Sequence, residues 1–237
     1  EQLARALRGG GRAAQAAPLE CAAAAVRADF ERCLIGDGVV AGFAHFGERG
    51  PAELLFHPSD SRTGIRYRLL PMIHAISSGL FTAEQARAHL ALIRAQLLAC
   101  DGARLVDRPL RYRGGEQHLF QRAESSSYFG REIGLMYMHA HLRYAEALAV
   151  LGEADALALA LRQAVPIGIR DSVPSAHPRQ SNCYATSSDA AVTDRYEAQS
   201  RYGEICSGAI PVEAGWRVYS SGPGIAALVE LYTSEGC

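Results

Sequence analysis

Apolar residues recur along this chain at spacings of three and four in several blocks, and long polar stretches separate the blocks. Residues 2–34 predict helix, broken at Gly9-Gly10-Gly11 and restarting near Ala13, because consecutive glycines hold a helix poorly. Gly36-Asp37-Gly38 predicts a turn, followed by a short strand or extended stretch over Val39 to Phe46 and a loop over residues 50–66. Leu69 to Ser78 predicts a helix with Pro71 in its first turn. Thr82-Ala83-Glu84-Gln85 has the form of a capping box, so a further helix starts there, continues over Ala86 to Ala99 and ends at Asp101-Gly102.

Residues 103–120 read as irregular. Tyr128 to Leu151 predicts one long helix stopped by Gly152, with Glu153 to Ala164 as its antiparallel partner. Residues 165–188 form a long loop rich in proline, serine and arginine, and loops of that length are usually functional or disordered. Ala190 to Tyr202 predicts helix, residues 207–219 are irregular and hold the single tryptophan, Trp216, and Ile225 to Tyr232 predicts a last helix. No β-branched runs alternate with these helices, so an α/β sheet is disfavoured and the expected class is all-α. Helical pairs joined by long loops suggest a toroid or a solenoid; no internal repeat of about 30–50 residues supports the solenoid.

Composition adds exclusions. The chain has 237 residues and a formal net charge of -1, so neither a nucleic-acid footprint nor an acidic tail is implied. All 24 basic residues are arginine, which together with the abundant alanine reads as the mark of a GC-rich genome rather than of an anion site. The 6 cysteines form no CxxC pair, which argues against zinc and for a reducing cytoplasm. No apolar run reaches the roughly 18 residues of a membrane span, and no secretory signal is visible.

Candidate chemistry gathers in three places, each with a plainer reading beside it. Residues 120–146 pack carboxylates, guanidiniums, an amide, aromatics and two histidines into a segment that otherwise favours helix. Within it Glu132 and His139, seven apart, and Arg143, four further on, would share one helical face; ordinary charge pairing is the bland alternative. His141 is turned away from His139, so the pair lacks the spacing of a helical metal site. Tyr219-Ser220-Ser221-Gly222-Pro223-Gly224, just before an apolar helix, offers hydroxyls and free backbone N–H groups to an anion, or is simply a cap with a tight turn. Arg179, Gln180 and Tyr184 in the long loop suit sugar hydroxyls by planar, multidentate hydrogen bonding and ring stacking, or belong to a solvated loop. Asp189 and Asp194 are possible general acids or bases that their context does not single out. A Gly-x-Ser-x-Gly elbow, a Walker loop, a Gly-x-Gly-x-x-Gly and an HExxH are all absent.

Four ordered segments together resemble glycoside hydrolase family 94, the inverting cellobiose-type phosphorylases. They are Phe120-Gln121-Arg122-Ala123-Glu124; Gly130-Arg131-Glu132-Ile133-Gly134-Leu135-Met136-Tyr137 with His139-Ala140-His141; Ser187-Ser188-Asp189-Ala190 with Asp194-Arg195-Tyr196; and Gly215-Trp216-Arg217-Val218-Tyr219 through Ile225. The Tyr-Ser-Ser-Gly-Pro-Gly-Ile form is similar to the branch acting on 1,2-β-oligoglucans; cellobiose and chitobiose phosphorylases carry Leu-Thr-Gly-Thr there. The resemblance, over roughly residues 34–225, implies that residues 1–237 are a single partial domain, the C-terminal part of an (α/α)6 barrel. It implies phosphorolysis of a β-gluco-oligosaccharide to α-glucose 1-phosphate with inversion, with inorganic phosphate as co-substrate, no cofactor and no metal, and commonly a homodimer. By position it places phosphate on His139, Ser221 and Gly222, with Ser220 beside them, and sugar on Glu132; Gln121, Arg122, Arg179, Gln180 and Tyr184 complete the expected sugar contacts.

One departure from the family pattern matters. The family's general acid is an aspartate in an Asp-Trp-(Asn/Asp)-Asp motif, and that motif is absent here. In family order it would lie before residue 1, so the chain alone is expected to be inactive. The alternatives are a non-catalytic helical carbohydrate-binding or interaction module, or a hydrolase using water, for which an anion cradle has no use.

Overall fold

A computed structural model describes residues 1–48, 50–108, 136–164, 169–172, 174–177, 188–214 and 225. The described chain is mostly helical, with short strands between the helices. Helices α1 (Gln2–Gly9) and α2 (Ala13–Leu34) form an antiparallel hairpin across the glycine break, closed over Ala4, Leu7, Ala16 and Leu19 and tied by an Arg8–Glu20 ion pair. Asp37 and Gly38 both take positive φ, 47° and 76°, which is the backbone a two-residue hairpin needs to join β1 (Ile35–Gly36) to β2 (Val39–Val40). Strands β3 (Phe43–His45) and β4 (Glu53–Leu55) pair antiparallel, Phe43 opposite Leu55.

The main core lies between α3 (Leu69–Ser77), α4 (Ala83–Gln96), α5 (Met138–Val150) and α6 (Ala154–Ala164). Helix α3 buries Leu69, Met72, Ile73 and Ile76, the spacing of one helical face. Both hydrogen bonds of the expected capping box are present, from Gln85 N–H to Thr82 Oγ1 at 3.2 Å and from Thr82 N–H to Gln85 Oε1 at 2.9 Å. Helix α5 is buried on nearly every side, packed against α3 and α6. It ends in a Schellman turn: Gly152 at φ 73° lets Glu153 N–H reach Leu148 O at 3.0 Å and Gly152 N–H reach Ala149 O at 3.1 Å. Ile225 joins the same core. A smaller cluster of Ala176, Ala190, Ala198, Ile205 and Ile210 underlies a three-stranded sheet. There β9 (Val212–Ala214) pairs parallel with β7 (Ala176–His177) and antiparallel with β8 (Ser188–Ala190).

Several expectations need correction. The helix predicted over Tyr128 to Leu151 is not continuous: Met136 is held extended by an antiparallel bridge to Arg104, and Tyr137, at φ -108° and ψ 115°, is the extended N-cap of α5, while residues 128–135 lie outside the described residues. The helix after Thr82 ends at Gln96, because residues 98–103 close a hairpin of β5 (Leu98–Ala99) and β6 (Gly102–Ala103). The helix predicted over Ala190 to Tyr202 is a strand at 188–190, then α8 (Arg195–Ser200) and α9 (Tyr202–Ser207). The 165–188 stretch also includes the short helix α7 (Ile169–Ser172) and β7, and the small sheet is one that local periodicity did not announce.

Candidate functional site

His139 occupies the first turn of α5, half-buried, with the Tyr137 ring stacked 6.1 Å away at 16°. Among the described residues no side chain caps this helix, and the N–H groups of its first turn form the positive end of the helix dipole. Burial, then the Arg143 charge, then His74 on α3 push the His139 pKa below the ordinary 6.5. Arg143, one turn along, is bound to Glu146 at 2.7 Å. The start of α5 therefore gathers a neutral imidazole, uncapped backbone donors and two further basic side chains within electrostatic reach. Hydrogen-bond donors in a positive field are the chemistry of an anion site.

What seats this helix end is a short ladder. The Arg68 backbone bridges Val106 and the Arg104 backbone bridges Met136, so the segments before α3 and before α5 flank residues 104–106. Gly102, at φ 130°, lies against Met136 and His141; a Cβ there would stand 2.8 Å from Met136 Cγ and 2.9 Å from His141 Nδ1. His141, fully buried, accepts from Ala103 N–H through Nδ1 at 3.0 Å, and its Nε2–H donates to Ala160 O at 2.7 Å. Accepting at Nδ1 requires the neutral ring, and burial pushes its pKa down. His141 is thus a satisfied core histidine, while His139 is left half-buried on the other side of the helix.

Beneath the ladder, the Arg104 and Asp101 side chains form a buried ion pair at 3.0 Å. Arg104 also reaches Tyr202 Oη at 3.4 Å on α9. Burial is the largest single influence and works against the Arg104 charge, but Asp101, Tyr202 and Cys206 together outweigh it and hold the guanidinium charged. This pair links the small sheet's helices to the start of α5. The Asp-x-x-Arg spacing is visible in the sequence, but nothing local marks it as buried.

Of the predicted site residues, His139 is the one that lies among the described residues. Glu132, Gln121, Arg122, Arg179, Gln180, Tyr184, Ser220, Ser221 and Gly222 lie outside them. Helix α5 starts at Met138, so the continuous helix expected to carry both Glu132 and His139 is interrupted at residues 136–137. The His139–Arg143 spacing does fall within one helix. Asp194, weighed as a possible acid, is the N-cap of α8 and accepts from Tyr196 N–H and Glu197 N–H, each at 2.9 Å. His74 and Arg68 were not singled out by sequence; each sits at one end of an ordinary apolar helix.

No family model matches the chain. It is 46% identical over 201 residues to the 1,2-beta-oligoglucan phosphorylase of Listeria innocua serovar 6a, which covers 84% of this chain and 18% of that protein. This chain is a relative of a glycoside phosphorylase. Glycoside hydrolase family 94, to which the four segments pointed, is consistent with that name. The chain spans less than a fifth of the relative's length. Among the described residues no helix is long and apolar enough to cross a membrane.

Proposed function

We propose that the protein to which this chain belongs phosphorolyses β-1,2-linked gluco-oligosaccharides with inversion, releasing α-glucose 1-phosphate, and that these helices are part of its (α/α)6 barrel. The observation that carries the reading is the uncapped start of α5, with His139 half-buried in a positive field, in a chain 46% identical to a 1,2-beta-oligoglucan phosphorylase. Neutral His139 donates a hydrogen bond to phosphate, and the helix end stabilises its negative charge. Ser220, Ser221 and Gly222 supply the remaining phosphate contacts. Glu132, Gln121, Arg122, Arg179, Gln180 and Tyr184 hold the sugar. Ile225, three residues after Gly222, packs in the same core as Met138 and Ala140, which agrees with that division.

Phosphate then attacks the anomeric carbon while a carboxylic acid protonates the leaving oxygen. That acid comes from outside this sequence, and general acid catalysis is worth about 100- to 10,000-fold. The test is His139→Ala in the full-length protein. Losing a hydrogen bond to a charged group costs about 1.5–3 kcal/mol, so the phosphate KM should rise roughly 10- to 100-fold. A phosphate KM equal to wild type would remove His139 from the site.

A further inference from the structure

Away from His139, one arrangement places a half-buried cation on an aromatic pair. The Arg68 guanidinium lies 4.4 Å from the Phe43 ring centroid and 5.6 Å from that of Phe56, and the two rings meet edge to face at 5.3 Å. Arg68 is half-buried, and burial pushes its pKa down. Among the described residues neither a carboxylate nor a hydrogen-bond acceptor meets its guanidinium. The rings meet the cation through their π faces and accept no conventional hydrogen bond, so the five N–H donors of the guanidinium are available to a ligand.

The supports of this stack are unusually constrained. Phe56 has φ 53°, an uncommon conformation for a bulky residue, of the kind that persists only where its surroundings over-determine it. Asp60 provides that constraint, accepting from Phe56 N–H at 2.8 Å, Arg62 N–H at 2.8 Å and Thr63 N–H at 3.0 Å. Residue 42 must be glycine: a Cβ would stand 2.6 Å from Phe56 Cβ and 3.0 Å from Arg68 Cδ. Phe43 stays exposed on β3, and His45 shares its strand face. Arg68 belongs to the same ladder that starts the His139 helix.

We propose that Arg68, seated on Phe43 and Phe56, contacts a sugar unit of the β-glucan chain beside the phosphate site. Adjacent equatorial hydroxyls of a pyranose match the paired donors of a guanidinium edge, and the exposed Phe43 ring suits the C–H face of the sugar. An inorganic anion would use the charge and leave the aromatic surface idle. The inference rests on the phosphorylase reading above.

The test is calorimetric titration of the full-length protein with β-1,2-linked glucose oligomers and, separately, with inorganic phosphate. Arg68→Ala and Arg68→Lys should each weaken glucan binding about tenfold, since lysine restores charge but not the planar donor pair, while phosphate binding stays within about twofold. Phe43→Ala should weaken glucan binding in the same direction, and matching thermal unfolding of the variants excludes a folding defect. Should Arg68→Ala destabilise the protein, Phe43→Ala and Arg68→Lys decide. Unchanged glucan binding in the folded variants overturns the assignment, as does a loss confined to phosphate, which would make Arg68 an anion contact. A wild type that binds no glucan removes both this inference and the phosphorylase reading; a wild type that binds it alongside variants that bind equally removes this inference alone.

Discussion

Replacing His141 by leucine tests how the His139 helix is held. The substitution keeps an apolar side chain of similar bulk and deletes both ring nitrogens. Ala103 N–H and Ala160 O, at residues 0% and 1% exposed, then lose partners now at 3.0 and 2.7 Å. Ala103 N–H is then buried without an acceptor, at a cost of about 1–3 kcal/mol, while Ala160 O loses its second donor and keeps its place in the helix, so the change should destabilise by about 1–4 kcal/mol, against a typical total of about 5–15. A second readout is pH. Burial holds the His141 pKa below 6.5, so the unfolded chain takes up a proton that the folded protein resists. This contribution to stability is intact above the ordinary pKa and is lost as pH falls from there toward the folded value. Leucine removes that linkage, so the slope of stability against pH below about 6.5 should become shallower by up to about 1.4 kcal/mol per pH unit. It should not vanish, because buried His89, bonded to Val40 N–H at 3.1 Å, also has its pKa pushed down by burial. Urea unfolding from pH 5 to 8 measures both quantities. A loss under about 1 kcal/mol at pH 7.5, or an unchanged acid slope, would refute the reading of His141 as a neutral structural clamp.

Two further perturbations follow from the same geometry. Gly102→Ala combines a φ of 130° with a Cβ 2.8 Å from Met136 Cγ; it should cost about 2–5 kcal/mol and raise the phosphate KM through displacement of the α5 start, a kinetic effect that purely local strain would not produce. Asp60→Ala strips an acceptor from three backbone N–H groups and the Thr63 hydroxyl, and should cost about 2–4 kcal/mol by chemical denaturation and weaken glucan binding through loss of the Phe56 seat; wild-type values in both assays would contradict it. Burial pushes the Asp60 carboxyl up, but its hydrogen bonds outweigh this and hold it below the ordinary 3.8, so its support is present above that value and lost as pH falls through the folded pKa.

Features fixed by neighbouring residues were legible in the sequence. The glycine break before Ala13, the Asp37-Gly38 turn, the Thr82 capping box and the Gly152 stop each depend on a few adjacent positions, and each is present. Features set by pairing across the chain were not legible. Nothing near Met136 in sequence reveals Arg104, thirty-two residues earlier, yet their bridge holds the segment extended and denies it the helical pattern its composition suggests. Ala190 is likewise a good helix former recruited to a strand opposite Val212. In the candidate site, His139 was reachable through motif resemblance, whereas Arg68 and His74 sit in ordinary helical contexts, and it is tertiary neighbours that make them notable.

The His139-Ala140-His141 triplet shows how one local pattern can divide two jobs. Residues two apart on an α-helix are turned by about 200°, so when one imidazole points into the bundle the other points away from it. The hairpin at 98–103 and helix α6 claim His141 with two hydrogen bonds, which fixes the rotation of α5 about its axis. With that rotation fixed, His139 is left half-buried at the uncapped helix end, facing Arg143 and His74. The two histidines should therefore separate cleanly by measurement: substitutions at 141 act first on stability and its acid slope, and substitutions at 139 act first on phosphate. If His139→Ala cost as much stability as His141→Leu while leaving phosphate kinetics untouched, the assignment of inside and outside on this helix would be reversed, and with it the ground for placing the anion there.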